Sequence, residues 1–175
     1  MKNKLKLFLK SNNYLYKKII LTKKIGFPLL IINFIYQRIF RINSRFTYST
    51  HFTSQIIFQH KIKTKEDIST LASFAVSGHC YFQALNGIEI GSNFLFASGV
   101  KIISSNHDFL EKNNFQKEIP IIIGDNVWLG ANVILLPGIK LGNNCIVGAG
   151  SIVTKKFEES NLIIAGNPAK IIKRY

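Results

Sequence analysis

The chain has 175 residues, enough for one domain or one domain with an appendage, and 47% of them are hydrophobic, ample for a core. Its 23 basic residues outnumber 9 acidic ones and leave a net charge of +14. The excess is local: residues 1–65 hold fourteen lysines and arginines and no acid, whereas nine bases balance nine acids from Glu66 onward, so the body of the chain is not a polycation.

The first segment, residues 1–46, is basic and aromatic, with Phe8, Tyr14, Tyr16, Phe27, Phe34, Tyr36, Phe40 and Phe46; Tyr48 follows just beyond it. Three readings are open for it. Lysines beside aromatic rings suit a single-stranded nucleic acid, but no nucleic-acid motif accompanies them, and nucleic acid is not expected as a partner. The apolar run from Ile25 to Tyr36 suits a membrane surface. At twelve residues with a proline it is too short to span a bilayer, which needs about twenty. It could lie in the interface while Lys17, Lys18, Lys23 and Lys24 meet anionic headgroups. Alternatively, one or two helices cap an open strand edge and bury Leu29, Ile32, Phe34 and Ile35. Capping and membrane contact are compatible. No apolar core followed by a small-residue cleavage site marks a signal peptide.

From Thr47 to Phe82 a spacing of six is faint, carried by Ile62, Ile68, Phe74 and Cys80, and the first coils are expected to be irregular. His51 and His60 read as ordinary surface or hydrogen-bonded histidines. Cys80 and Cys145 fit neither a disulfide nor a metal-binding pattern, and the compartment is read as reducing. A clear frame starts at Ile90 with IGSNFL, FASGVK and IISSNH. It stops at His107, and residues 108–122, which include Phe109, Leu110, Glu111, Lys112, Phe115 and Pro120, read as a protruding loop of the kind on which functional sites collect.

The frame returns over residues 123–157 as IGDNVW, LGANVI, LLPGIK, LGNNCI, VGAGSI and VTKKF. The first place is always aliphatic (Ile123, Leu129, Leu135, Leu141, Val147, Val153) and the second mostly glycine. A period of six is a multiple of the strand period and too long for a helical turn. It predicts an all-β solenoid in which each six makes a short strand and a bend, three strands make a triangular coil, and coils stack at about 4.8 Å. First-place side chains point inward, the glycines are read as permitting the bend, and the fifth place (Val127, Val133, Ile139, Cys145, Ser151, Phe157) shares the narrow interior. Trp128, in the sixth place, faces outward.

The run IGDNVWLGANVILLPGIKLGNNCIVGAGSIVTK, with IIAGNPAKIIKRY after it, resembles the hexapeptide-repeat acyltransferases from about Phe74 to Tyr175. Within them, Tyr81 to Asp108 is most similar to bacterial surface-polysaccharide O-acetyltransferases and to maltose and galactoside acetyltransferases. The resemblance implies a left-handed parallel β-helix over residues 47–167, an exception to the right-handed crossover preference. To it are added the N-terminal cap, one protruding loop and a short tail over residues 168–175. It also implies an acetyl-CoA-dependent O-acetyltransferase acting on a sugar hydroxyl of a surface polysaccharide or its precursor. The enzyme would be a homotrimer with sites between subunits, at work in the cytoplasm or at the inner face of the membrane.

His107, just before the loop, matches the family's catalytic histidine, and an imidazole can take and return a proton at neutral pH. Asn106 and Asp108 beside it are candidates for acceptor binding. The maltose branch has an acceptor asparagine about one coil upstream. Ala97 stands there in this chain, followed by Ser98, a further acceptor candidate, and this departure leaves the acceptor's identity open. For coenzyme A the resemblance implicates Trp128, Gly130, Ala131, Gly148 and Ala149 along the thioester arm. Thr154, Lys155 and Lys170, with Lys156 beside them, would meet the phosphates.

Related readings are N-acetylation of an amino sugar nucleotide, or serine O-acetylation. A β-helix zinc enzyme would need three converging histidines with an open fourth place. Of the four present only His79 and His107 lie in well-formed repeats, and no metal is expected. A non-catalytic scaffold docked at a membrane is the remaining alternative, and it would show no response to coenzyme A.

Overall fold

The structure, a computed structural model, describes residues 13–108, 110, 115 and 119–175, with side chains from Lys18 onward. The positions before Asn13 and the loop residues 109, 111–114 and 116–118 lie outside the described residues. Two helices come first, α1 (Asn13–Ile25) and α2 (Phe27–Phe34), the second continuing as a wider turn over Ile35–Ile39. The coils follow: β1 (Gln55–Ile57), β2 (Ile62–Thr64) and helix α3 (Ile68–Val76); then β3 (Tyr81–Gln83), β4 (Ile88–Ile90) and β5 (Leu95–Phe96). Next are β6 (Lys101–Ile103), β7 (Ile121–Ile123) and β8 (Trp128–Leu129), then β9 (Ile134–Leu135), β10 (Lys140–Leu141) and β11 (Ile146–Val147). The last coil has β12 (Ile152–Val153), β13 (Leu162–Gly166) and β14 (Ala169–Arg174).

Three sheets form the faces of a prism. The first is β1-β3-β6-β9-β12, the second β2-β4-β7-β10 and the third β5-β8-β11-β13-β14. Every pairing is parallel except that of β13 with β14. The chain visits the faces in turn, as a repeat of three sixes requires, and the fold is the left-handed parallel β-helix.

First-place residues Ile123, Leu129, Leu135, Leu141, Val147 and Val153 are buried, and so are the fifth-place residues Val127, Val133, Ile139, Cys145, Ser151 and Phe157. One core runs the length of the prism. The glycines serve a different end from the one expected. Gly124, Gly130, Gly142 and Gly148 are not in the left-handed region. They are needed because a β-carbon on Gly124 would come within 2.7 Å of the Gly142 carbonyl, and one on Gly130 within 2.7 Å of the Ala149 nitrogen, in the next coil. The left-handed bend falls instead on Asn93, Asn126, Asn144 and Asn161, with φ between 55° and 63°. Their amides form a ladder from coil to coil, each Nδ2 donating to the next Oδ1 at 3.0, 3.0 and 2.8 Å. Asparagine tolerates that conformation better than most residues, and the ladder returns a hydrogen bond for it.

Four expectations are revised. Helix α3 takes the third side of the first coil, so Ile68 and Phe74 owe their spacing to a helix. Asp67 caps it, accepting from Thr70 N at 2.9 Å and Thr70 Oγ1 at 2.7 Å, a strong helix start. The loop ends earlier than residue 122, since Ile121 and Ile122 already pair in β7. Within the expected short tail of residues 168–175, residues 169–174 form the second strand of a hairpin on the third face, turning at Asn167–Pro168. The helices do lie at the N-terminal end, α1 and α2 packing Leu21, Leu29 and Leu30 on Ala72 and Ala75 of α3. Yet Ile32 and Phe34 are exposed.

Candidate functional site

In the fourth coil residues 136–139 turn the corner between first and second faces, four residues from β9 to β10; in the third coil the same corner takes seventeen, 104–120. The extra chain leaves through Ser104 and Ser105, both buried. A buried side chain from the coil above holds them. Gln83 Oε1 accepts from Ser104 N at 3.1 Å and Ser105 N at 3.0 Å, and Gln83 Nε2 donates to the Ser105 carbonyl at 3.2 Å. Asn86 adds two contacts, its backbone N donating to Ser104 Oγ and its Nδ2 to the Ser104 carbonyl, both at 2.9 Å. The loop root is therefore fixed, although the corner is irregular.

Asn106 and His107 emerge from this clamp exposed to solvent. His107 forms an antiparallel bridge with Phe115, and the two rings lie 4.6 Å apart at 35°. Asp108 Oδ1 accepts from Leu110 N at 2.8 Å and so starts the loop's turn. Farther along the same edge of the prism, Ile119, Pro137, Gly138, Ile139, Thr154, Lys155 and Lys156 line one open groove. Thr154 and Lys155 thus share the edge of His107. The Lys155 ammonium stands 5.6 Å from the Phe157 ring centroid, within range of cation–π attraction.

The other candidates lie elsewhere. Ser98, Gly130, Ala131, Gly148 and Ala149 turn the corner between third and first faces. Lys170 pairs with Ala165 in β14, close to the same corner, because Gly148 N donates to the Ile164 carbonyl at 2.8 Å. Trp128 faces outward on the third face at 50% exposure, in register with Leu95, Ile146 and Ile163 along an apolar stripe. A single chain therefore brings His107, Thr154 and Lys155 to one edge and the small-residue wall, Ser98 and Lys170 to another.

The other histidines are accounted for differently. His51 Nδ1 bonds Thr53 Oγ1 at 2.9 Å and its ring stacks on Phe52. Burial first, and then the nearby His79, push its pKa below the ordinary value. Among the described residues no three His, Cys, Asp or Glu side chains come together as a metal site. The residues that sequence reasoning missed are Gln83, Asn86 and Ser104. Gln83 ends β3, and Asn86 and Ser104 follow β3 and β6; the frame carries no signal for them, because its second and third places admit glycine and polar residues. Phe115 was seen only as part of a loop.

Residues 120–155 match the family described as the hexapeptide repeat of succinyl-transferase. The galactoside O-acetyltransferase of Escherichia coli K12 is 40% identical over 89 residues, 49% of this chain and 43% of that protein. A putative lipopolysaccharide biosynthesis O-acetyl transferase of the same organism is 38% identical over 112 residues, 57% of each. Among solved structures, a maltose O-acetyltransferase from Clostridium difficile 630 superposes with a TM-score of 0.51 at 42% identity, covering 54% of this chain and 52% of that one. The chain spans about half the length of the curated relatives it matches.

Proposed function

We propose that this hexapeptide-repeat protein transfers an acetyl group from acetyl-CoA to a hydroxyl of a carbohydrate acceptor, a surface polysaccharide or its precursor. The observation that carries the reading is His107, held in solvent by a hydrogen-bonded root on the same prism edge as the groove that Thr154, Lys155 and Lys156 help to line. The names of the three relatives given above, each an O-acetyltransferase, support the reaction class.

His107 would accept the proton of the attacking hydroxyl through a neutral ring nitrogen. The hydroxyl oxygen adds to the thioester carbonyl, and the negative charge on the tetrahedral oxygen is met by backbone N–H groups. As the intermediate collapses the C–S bond breaks, and the imidazolium returns its proton to the departing sulfur. Asn106 and Asp108 would orient the acceptor. Lysine ammonium groups at Lys155 and Lys170 suit the phosphates of the donor, and Gly130–Ala131 and Gly148–Ala149 leave room for its thin arm.

The two sets of candidates occupy different edges of one prism, which supports sites assembled between copies. A second chain would bring its small-residue edge against the first chain's histidine edge. A closed ring of such heterologous contacts gives one site per interface, and a trimer suits a three-sided prism.

The test is purified protein with acetyl-CoA and a panel of glycans, read by thiol release and by mass gain on the acceptor. Lability of the product in mild base distinguishes an ester from an amide. His107→Ala should lower turnover about 10²–10⁴-fold while coenzyme A still raises the melting temperature. Unchanged turnover in that variant removes His107 as the base.

A further inference from the structure

Helix α2 and the turn after it carry their polarity the wrong way round for a soluble cap. Their two buried polar side chains, Asn33 and Gln37, are a helical turn apart and face the protein. Asn33 Nδ2 donates to the Ala75 carbonyl at 3.0 Å and its Oδ1 accepts from Phe52 N at 3.1 Å. Gln37 Nε2 donates to the carbonyls of Phe46 at 2.8 Å and Tyr48 at 2.9 Å. Leu29 and Leu30 pack inward on α3, but seven apolar residues point outward: Phe27 is 67% exposed, Phe34 60%, Ile39 65% and Phe40 63%, with Ile31, Ile32 and Ile42 also exposed. Phe27, Ile31 and Phe34 follow the i, i+4, i+7 spacing of one helix face.

Such a contiguous apolar surface marks a contact with something apolar. The hydrogen bonds of Asn33 and Gln37 lock the helix in this orientation, so it cannot roll to hide the patch. Arg38, Arg41 and Arg45 are exposed beside the patch, and none of the four ion pairs among the described residues involves them. Helices α1 and α2 meet at a 96° bend, made at Gly26 with φ 89°. No single described helix is long and apolar enough to cross a membrane, and the bend suits an element that dips into one leaflet.

We propose that this face is a membrane-docking surface: α2 and residues 39–42 enter the interface of an anionic bilayer, while Arg38, Arg41 and Arg45 meet its headgroups. A second copy of the chain is the poorer occupant. It would bring a segment with fourteen bases and no acid in its first 65 residues against an identical one, whereas an anionic leaflet supplies the missing charge. The inference does not rest on the acetyl-transfer reading.

Flotation of the full chain with phosphatidylglycerol vesicles, with phosphatidylcholine vesicles, and alone tests it. The chain should rise with the anionic vesicles and much less with the zwitterionic ones. Phe27→Ser/Phe34→Ser should remain in the dense fraction with its circular dichroism unchanged. Because that variant could fail by misfolding, Arg41→Glu alone serves as a second probe. It should weaken vesicle binding about fivefold or more, from about 1 kcal/mol per basic residue near an anionic surface. Equal flotation of all forms, or a wild-type chain that ignores vesicles and instead self-associates through Phe27 and Phe34, overturns the proposal.

Discussion

His107 and Phe115 hold each other across the mouth of the third-coil loop: their backbones bridge and their rings lie 4.6 Å apart. The loop thus folds back on the residue that opens it, and the imidazole has an aromatic shelf. An aromatic contact of this kind contributes about 0.5–1.5 kcal/mol beyond burial. Phe115→Ala should therefore lower kcat by up to about tenfold, with the KM for acetyl-CoA little changed, since Phe115 stands against His107. Phe115→Tyr, which keeps the ring, should retain most of the turnover. Steady-state kinetics of the two variants decide it; equal loss in both would mean that the ring is not the cause.

Gln83 acts at one remove. Its carboxamide occupies the N–H of Ser104 and of Ser105, and Ser104 N has the Gln83 carbonyl as a second acceptor at 2.9 Å. In Gln83→Leu the Ser105 N–H is left buried without this acceptor, at a cost of about 1–3 kcal/mol. For a chain of this size that is a fall in melting temperature of about 2–4 °C per kcal/mol. Activity should fall further than stability explains, through kcat, because the segment that sets down His107 has lost its anchor. Amide exchange at Ser104–His107 should quicken while that of Leu135 and Leu141 does not.

The sequence made the inward stripe plain because the interior of a triangular coil admits one aliphatic side chain per strand, and Ile123 to Val153 obey that rule without exception. It was silent about α3. Ile62, Ile68, Phe74 and Cys80 keep a spacing of six, but Asp67 followed by Thr70 supplies a helix cap, and local capping won over the faint repeat. The hairpin of residues 162–174 was hidden for another reason: its second strand pairs antiparallel, outside the sixfold rule. The place of His107 at the break in the frame was legible, while its candidate role came from the resemblance. Gln83 was not, since a hydrogen bond from one coil to the next leaves no periodic trace. The orientation of α2 stayed open in the sequence because apolar residues at helical spacing fit burial and lipid contact equally well; the hydrogen bonds of Asn33 and Gln37 show which side faces in, and Ile32 and Phe34 lie on the other.

The glycines of the second place should respond as stacking residues rather than turn residues. A methyl group at Gly124 would lie 2.7 Å from Asn143 Oδ1 and from the Gly142 carbonyl, and Gly124→Ala should cost about 1–3 kcal/mol, as overpacking does. Gly150 is the converse: φ is +70° and no atom lies within 4 Å of its notional β-carbon. Gly150→Asn should stay within about 0.5 kcal/mol of the parent, as surface changes do, since asparagine tolerates the left-handed region. Urea midpoints for both variants test the distinction, and a reversed order would restore the bend as the reason for the second-place glycines.

Asp125 ties its own coil to three others and should give the fold part of its sensitivity to acid. Its Oδ1 accepts from Ser92 N at 2.6 Å and from the Lys65 ammonium at 3.3 Å, while its own N–H donates to Asn143 Oδ1 at 2.8 Å. The Ser92 hydrogen bond first, and Lys65 second, hold its carboxyl below the ordinary value of 3.8. The folded state therefore releases this proton more readily than the unfolded chain, and stability rises with pH wherever the unfolded chain binds more protons. The contribution of Asp125 is complete above pH 3.8 and is lost as the pH falls through that value toward the lower folded one. Asp125→Asn keeps an oxygen for Ser92 N but has no proton to exchange, so its urea midpoint should fall less steeply than the parent's below about pH 4. It should also be less sensitive to salt near neutrality, because the exposed Lys65 pair is gone. Parallel curves for variant and parent between pH 5 and pH 3 would show that the carboxylates responsible for acid unfolding lie elsewhere.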